Sequence, residues 1–242
     1  MIQIGGLGFI TIFAFMIYIF TRKLKFKDRL FLSQAVNSTT IAQVGKYVSR
    51  VVVIVLFFEL LGFALGLPVF LNPEYREATG ISIPRAIWFS LFTSVSAFNN
   101  AGFDVFGSTS LIQGVGNIYI DSLPTWAYYY LLSYIMLLII AGGISFVVII
   151  DIFFMRKRAR QWSSFTKIVL LTTGILLLMG TLLFYLTDGI NHNINFFQAL
   201  FQSVTTRTAG FACFDQDNLS AGGKAVSCIL MFIGGSPEIG RA

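Results

Sequence analysis

Apolar residues gather in long, near-uncharged runs along this chain: Ile2–Phe20, Val51–Leu71, Trp126–Ile150, Ile168–Leu186 and a last one from Ala225. Each interior run approaches or exceeds the roughly 20 residues that carry an α-helix across a bilayer core. None keeps the polar face, recurring every third or fourth residue, of a helix that lies on a water-soluble core. The pattern predicts transmembrane helices. Met1–Phe20 lacks the basic flank and small-residue cleavage site of a signal peptide, so it reads as a mature membrane helix.

Two shorter apolar stretches behave differently. Pro84–Ala97, with Ser82 as the expected cap and Pro84 in the first turn, is predicted helical over about 14 residues, roughly 21 Å at 1.5 Å per residue. That falls short of a hydrocarbon core about 30 Å thick. Phe196–Thr206 is shorter still. Each ends on a polar, Gly-containing stretch, as a re-entrant pore loop does. Non-helical backbone at membrane depth is tolerated only where protein buries it or water lines it.

An internal repeat orders these elements. Ser94-Val95-Ser96-Ala97-Phe98-Asn99-Asn100-Ala101-Gly102-Phe103-Asp104 aligns with Ser203-Val204-Thr205-Thr206-Arg207-Thr208-Ala209-Gly210-Phe211, the second one residue shorter. Gly-Gly pairs inside apolar helices recur at Gly5-Gly6, Gly142-Gly143 and Gly234-Gly235. The predicted unit is helix, pore helix, loop, helix. One unit is Tyr47–Val69, Pro84–Ala97, Asn99–Phe103 and Trp126–Met155; the next is Phe165–Thr187, Phe196–Thr206, Arg207–Phe211 and Ala225 onward. The chain then divides into residues 1–20, the closing helix of an earlier unit; 21–46, a cytoplasmic linker with an amphipathic helix over Phe26–Val44; 47–155; a basic loop 156–164; and 165–242, a third unit cut short in its last helix. The fold class is an all-α membrane protein of repeated units around a cation pore.

Composition supports this and charge orients it. A hydrophobic share of 56% against 12% charged residues leaves about half the charge usual in soluble domains. The net charge of +6 would suit a nucleic-acid partner, but its placement excludes one. Of 17 Lys and Arg, seven lie between Arg22 and Arg50 and five between Arg156 and Lys167. Basic residues on alternate loops mark the cytoplasmic side, so 72–124 and 188–224 face outward. Arg156, Lys157, Arg158 and Arg160 suit an anchor against anionic lipid.

The loops carry the chemistry. A dehydrated monovalent cation needs oxygen dipoles, which backbone carbonyls supply without fixed charge. Glycine lets consecutive carbonyls turn to one side, and the negative ends of the short helices point the same way. Asn100, Ala101 and Gly102, with Thr208, Ala209 and Gly210, are the candidate ion-binding positions. Asp104 and Asp215 are candidates for concentrating cations at an outer mouth, with ordinary solvated loop acids as the alternative. Arg207 opposes a cation and is expected to point away from the axis. Glu59, in an apolar helix, must face protein or water and is a candidate partner for Arg207. Cys213 on an outer loop and Cys228 in an apolar run are not expected to pair. His192 reads as a loop histidine.

These segments resemble the Trk/Ktr/HKT superfamily of potassium uptake systems, and most closely the membrane subunit of bacterial Ktr. The carriers are Gln3-Ile4-Gly5-Gly6-Leu7-Gly8-Phe9, Ser96–Asp104, Thr205–Phe211 and Met231-Phe232-Ile233-Gly234-Gly235-Ser236-Pro237. The resemblance implies four repeats around one pore, each giving a carbonyl strand to a selectivity filter, with the chain holding the second and third loops. It places a gate at the glycine-rich stretch after Gly234, Gly235 and Ser236, here reading Glu238-Ile239-Gly240-Arg241-Ala242. It also implies a homodimer, a cytoplasmic nucleotide-binding regulatory subunit, location in the plasma membrane, potassium as the transported ion with sodium dependence left open, and no cofactor in this chain.

Two other classes compete. A secondary transporter for another monovalent cation or small solute would hold its substrate at the midplane on discontinuous helices, but here the repeats run parallel and the short helices enter from one side. An enzyme would need a clustered nucleophile, acid–base pair or metal set, and one His with scattered acids supplies none.

Overall fold

A computed structural model describes residues 2, 41–107, 110–155, 162–189, 194–207 and 209–234. The expected first helix, most of the Phe26–Val44 helix, the Arg156–Arg160 cluster, His192, Thr208, Gly235 and Ser236 lie outside the described residues. The described residues fold as helices: α1 Ile41–Phe70, α2 Pro73–Thr79, α3 Ile83–Phe98, α4 Ile118–Asp121, α5 Thr125–Gly143, α6 Phe146–Ile150, α7 Ser164–Phe184, α8 Phe196–Thr205 and α9 Ala221–Gly234. Helices α6 and α7 each run on into a π-helical turn, Asp151–Met155 and Tyr185–Gly189.

Among the described residues, three spans are long and apolar enough to cross a membrane: Ser49–Phe70, Thr125–Gly143 and Ser164–Gly189. Their outward faces carry Leu60, Leu137, Leu171 and Leu178, all exposed. In water so much apolar surface would be an aggregation hazard; facing hydrocarbon it is the stable arrangement. The chain is built as an integral membrane protein.

The turn into α3 is set locally. Asn72 caps α2 by accepting from the Glu74 N–H at 2.9 Å, Pro73 opens the helix, and Gly80 ends it in the left-handed region at φ +67°. Proline at the first turn and glycine just past the last are the favoured stops. The chain then bends by 102° into α3. Ser82 does occupy the cap position of α3, but its hydroxyl makes no capping bond.

Helix α3 leans on α1 through small residues. Ser90 Oγ donates to the Phe63 carbonyl at 2.7 Å and Ser94 Oγ to the Glu59 carbonyl at 2.6 Å. Opposite them stand Gly62 and Gly66, one helical turn apart, where a Cβ would overlap those serines. Close approach over small residues is how helices associate where lipid removes the hydrophobic drive. Helices α7 and α8 meet in the same way: Ser203 Oγ donates to the Leu177 carbonyl at 3.0 Å, and Gly180 leaves room for it.

The main core lies behind α3, toward the segment that follows its loop. Phe106 stacks on Phe70 at 5.9 Å and meets Phe89 edge-on at 5.8 Å, with Tyr75, Leu111 and Ile120 buried around them. Leu111 N–H donates to the Ala212 carbonyl at 3.0 Å, and Tyr128 Oη donates to the Leu111 carbonyl at 3.0 Å. These bonds tie the segment after the first loop to the segment after the second.

The expectation of one helix from Trp126 to Met155 is corrected. Helix α5 stops at Gly143, Ile144 is extended at ψ 137°, and a new helix starts after Ser145. The break follows Gly142, which lies directly on the backbone of Phe98. Helix α1 also begins earlier than Tyr47, and α9 begins at Ala221 rather than Ala225. Asp151 closes the far end by accepting from the Ser163 N–H at 2.9 Å and Thr166 Oγ1 at 2.7 Å. Asp188, fully buried, accepts from the Ser220 N–H at 2.7 Å and so seats the start of α9.

Candidate functional site

The short helices α3 and α8 both end on the Ala-Gly-Phe segments, and neither carries a basic residue in its last turn. Their carbonyl ends therefore present partial negative charge to the loops. In the first loop the Ala101 N–H donates to the Ser96 carbonyl at 2.9 Å; in the second, Ala209 N–H donates to the Thr205 carbonyl at 2.9 Å. Ser96 Oγ then donates to the Phe103 carbonyl, and Thr205 Oγ1 to the Phe211 carbonyl at 2.7 Å. A hydroxyl in the last helical turn thus fastens the carbonyl just past the glycine in both loops.

Conformation explains the residue types. Gly102 and Gly210 sit at φ +69° and +84°, and Asn100 at +51°. A side chain with a Cβ is strained in that region, asparagine less than most. Of the predicted positions, Asn100, Ala101 and Gly102 are half-buried, Ala209 is buried and Gly210 is exposed. Tertiary packing brings the two loops together. A Cβ on Gly102 would overlap the Ala209 carbonyl oxygen, and one on Gly210 would stand 3.5 Å from Gly102 Cα. Beside Gly210 lies a cavity of about 320 Å³ lined by Gln202, Thr205, Thr206, Phe211, Ala212, Gln216 and Met231.

Gly142 and Gly234, each the first glycine of its pair, have a packing role. Gly142 lies against the Phe98 backbone and Gly234 against the Arg207 backbone, so close that a Cβ at either would overlap the carbonyl oxygen. A Cβ on Gly143 would stand 3.4 Å from Asn100 Nδ2. Of the predicted gate positions, Gly234 is therefore a buried close-packing residue directly behind the second loop.

The proposed pairing of Glu59 with Arg207 is not what forms. Glu59 Oε1 accepts from Asn99 Nδ2 at 2.8 Å, on the first loop rather than the second. Arg207 is half-buried, and its Nε has no hydrogen-bond partner among the described residues. Asp104 and Asp215 are engaged in their own turns: Asp104 Oδ1 accepts from the Phe106 N–H at 3.0 Å, and Asp215 Oδ1 from the Asp217 N–H at 3.1 Å. Cys213 is buried and free, its thiol pushed well above the usual range by desolvation, while Cys228 is free and exposed. Sequence reasoning missed the hydroxyl clamps and the Glu59–Asn99 bond. The aligned Ser96 and Thr205 were the available signal for the clamps, since both loops place a hydroxyl there.

Known proteins give the same geometry a context. The chain is 34% identical over 243 aligned residues to the potassium/sodium uptake protein NtpJ of Enterococcus hirae, covering 98% of this chain and 49% of that protein. It is 32% identical to the Ktr system potassium uptake protein B of Vibrio alginolyticus, over 99% of this chain and 51% of that one. Against the Bacillus subtilis protein of the same name the figure is 33%, over 97% and 50%. The chain thus spans about half the length of the curated relatives it matches. Residues 1–240 match the model of the TrkH cation transport protein family; with that match along nearly its whole length, the chain belongs to the TrkH family.

Proposed function

We propose that the protein takes up potassium across the plasma membrane through a filter of backbone carbonyls. To that filter this chain gives Asn100, Ala101 and Gly102 from one loop, and Thr208, Ala209 and Gly210 from the other. One observation carries the reading: two loops, each at the carbonyl end of a helix too short to span, meet backbone to backbone at Gly102 and Gly210. Among the described residues, the atoms nearest Gly102 and Gly210 there are backbone atoms of the opposite loop, and carbonyl dipoles replace the hydration shell of potassium without fixed charge.

Relatives named as potassium and potassium/sodium uptake proteins support the ion class. Sodium enters the reading as a coupling ion or second substrate. The basic clusters put 156–164 in the cytoplasm and the Asp104–Ser122 segment outside. A homodimer with a cytoplasmic nucleotide-binding regulatory subunit completes the assembly, and the Ktr names of the relatives point to a multi-component system. Gly234, Gly235 and Ser236 begin the gate-region stretch beneath the filter. No chemical catalysis is involved; the barrier to a cation is its dehydration.

The test is Gly210→Ser in a complete pore containing these segments, with potassium and sodium uptake measured in parallel. Potassium-over-sodium discrimination should fall more than total flux. Unchanged discrimination, in protein that reaches the membrane, would refute the filter assignment.

A further inference from the structure

The two loops close with the same bond but over different lengths. Ala101 N–H reaches back to the Ser96 carbonyl and Ala209 N–H to the Thr205 carbonyl, both at 2.9 Å, and the first closure spans one residue more. Phe98 and Arg207 hold matching places against Gly142 and Gly234, and with Asn100 aligned on Thr208 in sequence the surplus residue is Asn99. Its N–H donates to the Val95 carbonyl at 3.1 Å, and its side-chain Nδ2 donates both to that carbonyl, at 2.8 Å, and to Glu59 Oε1, at 2.8 Å.

Glu59 has a counterpart that lacks the acid. The Glu59 carbonyl accepts from Ser94 Oγ, and the Leu177 carbonyl accepts from Ser203 Oγ, so the two residues hold the same place against their pore helices. Leu177 shows that an apolar side chain satisfies that place. A carboxylic acid 4% exposed in an apolar span is costly unless its oxygens are used. The acid occurs on the side where the loop has a residue to spare, and its oxygen is in contact with that residue. We infer that Glu59 is a positioning residue of the first loop: through Asn99 it fixes the extra residue and so sets where Asn100, Ala101 and Gly102 lie. The inference rests on the filter reading and adds to it a determinant outside the filter.

The experiment uses the complete transporter and compares potassium and sodium uptake in Glu59→Leu, Glu59→Gln, Asn99→Ala and the double variant Glu59→Leu/Asn99→Ala. Removing either end of the Asn99–Glu59 bond should lower discrimination about tenfold. The double variant should be no worse than either single one. Glu59→Gln keeps the acceptor oxygen and should stay within about threefold of the parent, which separates positioning from a charge effect. Three results would overturn the inference: Gln as impaired as Leu, a double variant whose loss is the product of the singles, or undiminished discrimination in Asn99→Ala. Because Asn99 is half-buried at a loop, that last variant decides the matter even where Glu59→Leu fails to reach the membrane. Gly210→Ser in the same assay separates the two levels. If it alone lowers discrimination, the filter stands and the Glu59 role falls; if it too has no effect, both fall.

Discussion

Gly102 lies so close to Ala209 that a Cβ on the glycine would overlap the alanine's carbonyl oxygen. The reverse approach is looser, since a Cβ on Gly210 would make an ordinary 3.5 Å contact with Gly102 Cα. The two glycines, alike in sequence and in positive φ, are therefore unequal in space. Gly210→Ala should carry backbone strain alone, about 1–3 kcal/mol, whereas Gly102→Ala adds a collision with backbone that cannot rotate away. Thermal unfolding of the purified protein in detergent should rank Gly102→Ala clearly below Gly210→Ala. An equal or reversed order would show that the loops do not meet as described.

A second prediction uses the glycines behind the loops. Gly142→Ala and Gly234→Ala place a methyl against the Phe98 and Arg207 carbonyls, so helices α5 and α9 must shift away from the loops. Folded yield should drop sharply for both. Gly174→Ala is the control, because a Cβ there meets nothing within 4 Å. In a helix interior that exchange should be neutral or stabilising by up to about 1 kcal/mol. Size-exclusion profiles of the three variants give the comparison, and a well-folded Gly142→Ala would contradict the packing.

The hydroxyl clamps are testable by deletion. Ser96→Ala and Thr205→Val each remove one donor from a loop carbonyl, worth about 0.5–1.5 kcal/mol of net stability. Both should lower the midpoint of unfolding modestly, and both should broaden ion selection by loosening the carbonyl beyond the glycine. Asn100 offers a contrasting case, since its left-handed φ of +51° is relieved by Gly and strained by Ala. Asn100→Gly should be better tolerated than Asn100→Ala by about 1 kcal/mol.

Cysteine chemistry reports on the segment between α8 and α9. Burial raises the Cys213 thiol above its ordinary range, so at pH 7–8 it should resist maleimide in the native protein and react on unfolding. The linkage has a definite sign. An unfolded thiol ionises near pH 8.5, while the native one holds its proton to higher pH. Stability contributed by this group is thus complete below about pH 8.5 and declines as pH rises through it. Cys213→Ser should flatten that alkaline decline, measured as unfolding midpoint against pH, and an unchanged slope would assign it elsewhere.

Much of the architecture was legible in residue patterns. Near-uncharged runs of about 20 residues require spanning helices whatever their neighbours, because backbone polar groups in hydrocarbon must be satisfied within the segment. The short lengths of Ile83–Phe98 and Phe196–Thr205, the Pro and Gly stops around α2, and the aligned Ala-Gly-Phe segments were likewise local facts. What periodicity could not reveal was anything decided by contact between distant segments. The break at Ile144 comes where α5 meets the end of α3, and hydropathy is blind to it because Ile144 is as apolar as its neighbours. Glu59 could be recognised as an expensive buried acid, but its choice of Asn99 over Arg207 depends on which pore helix packs against α1. The meeting of Gly102 with Gly210 likewise joins loops that their own helices hold separately. Local hydrogen bonding and transfer energy act within a segment and are written in its sequence; the partner of a buried group is settled only when the helices pack.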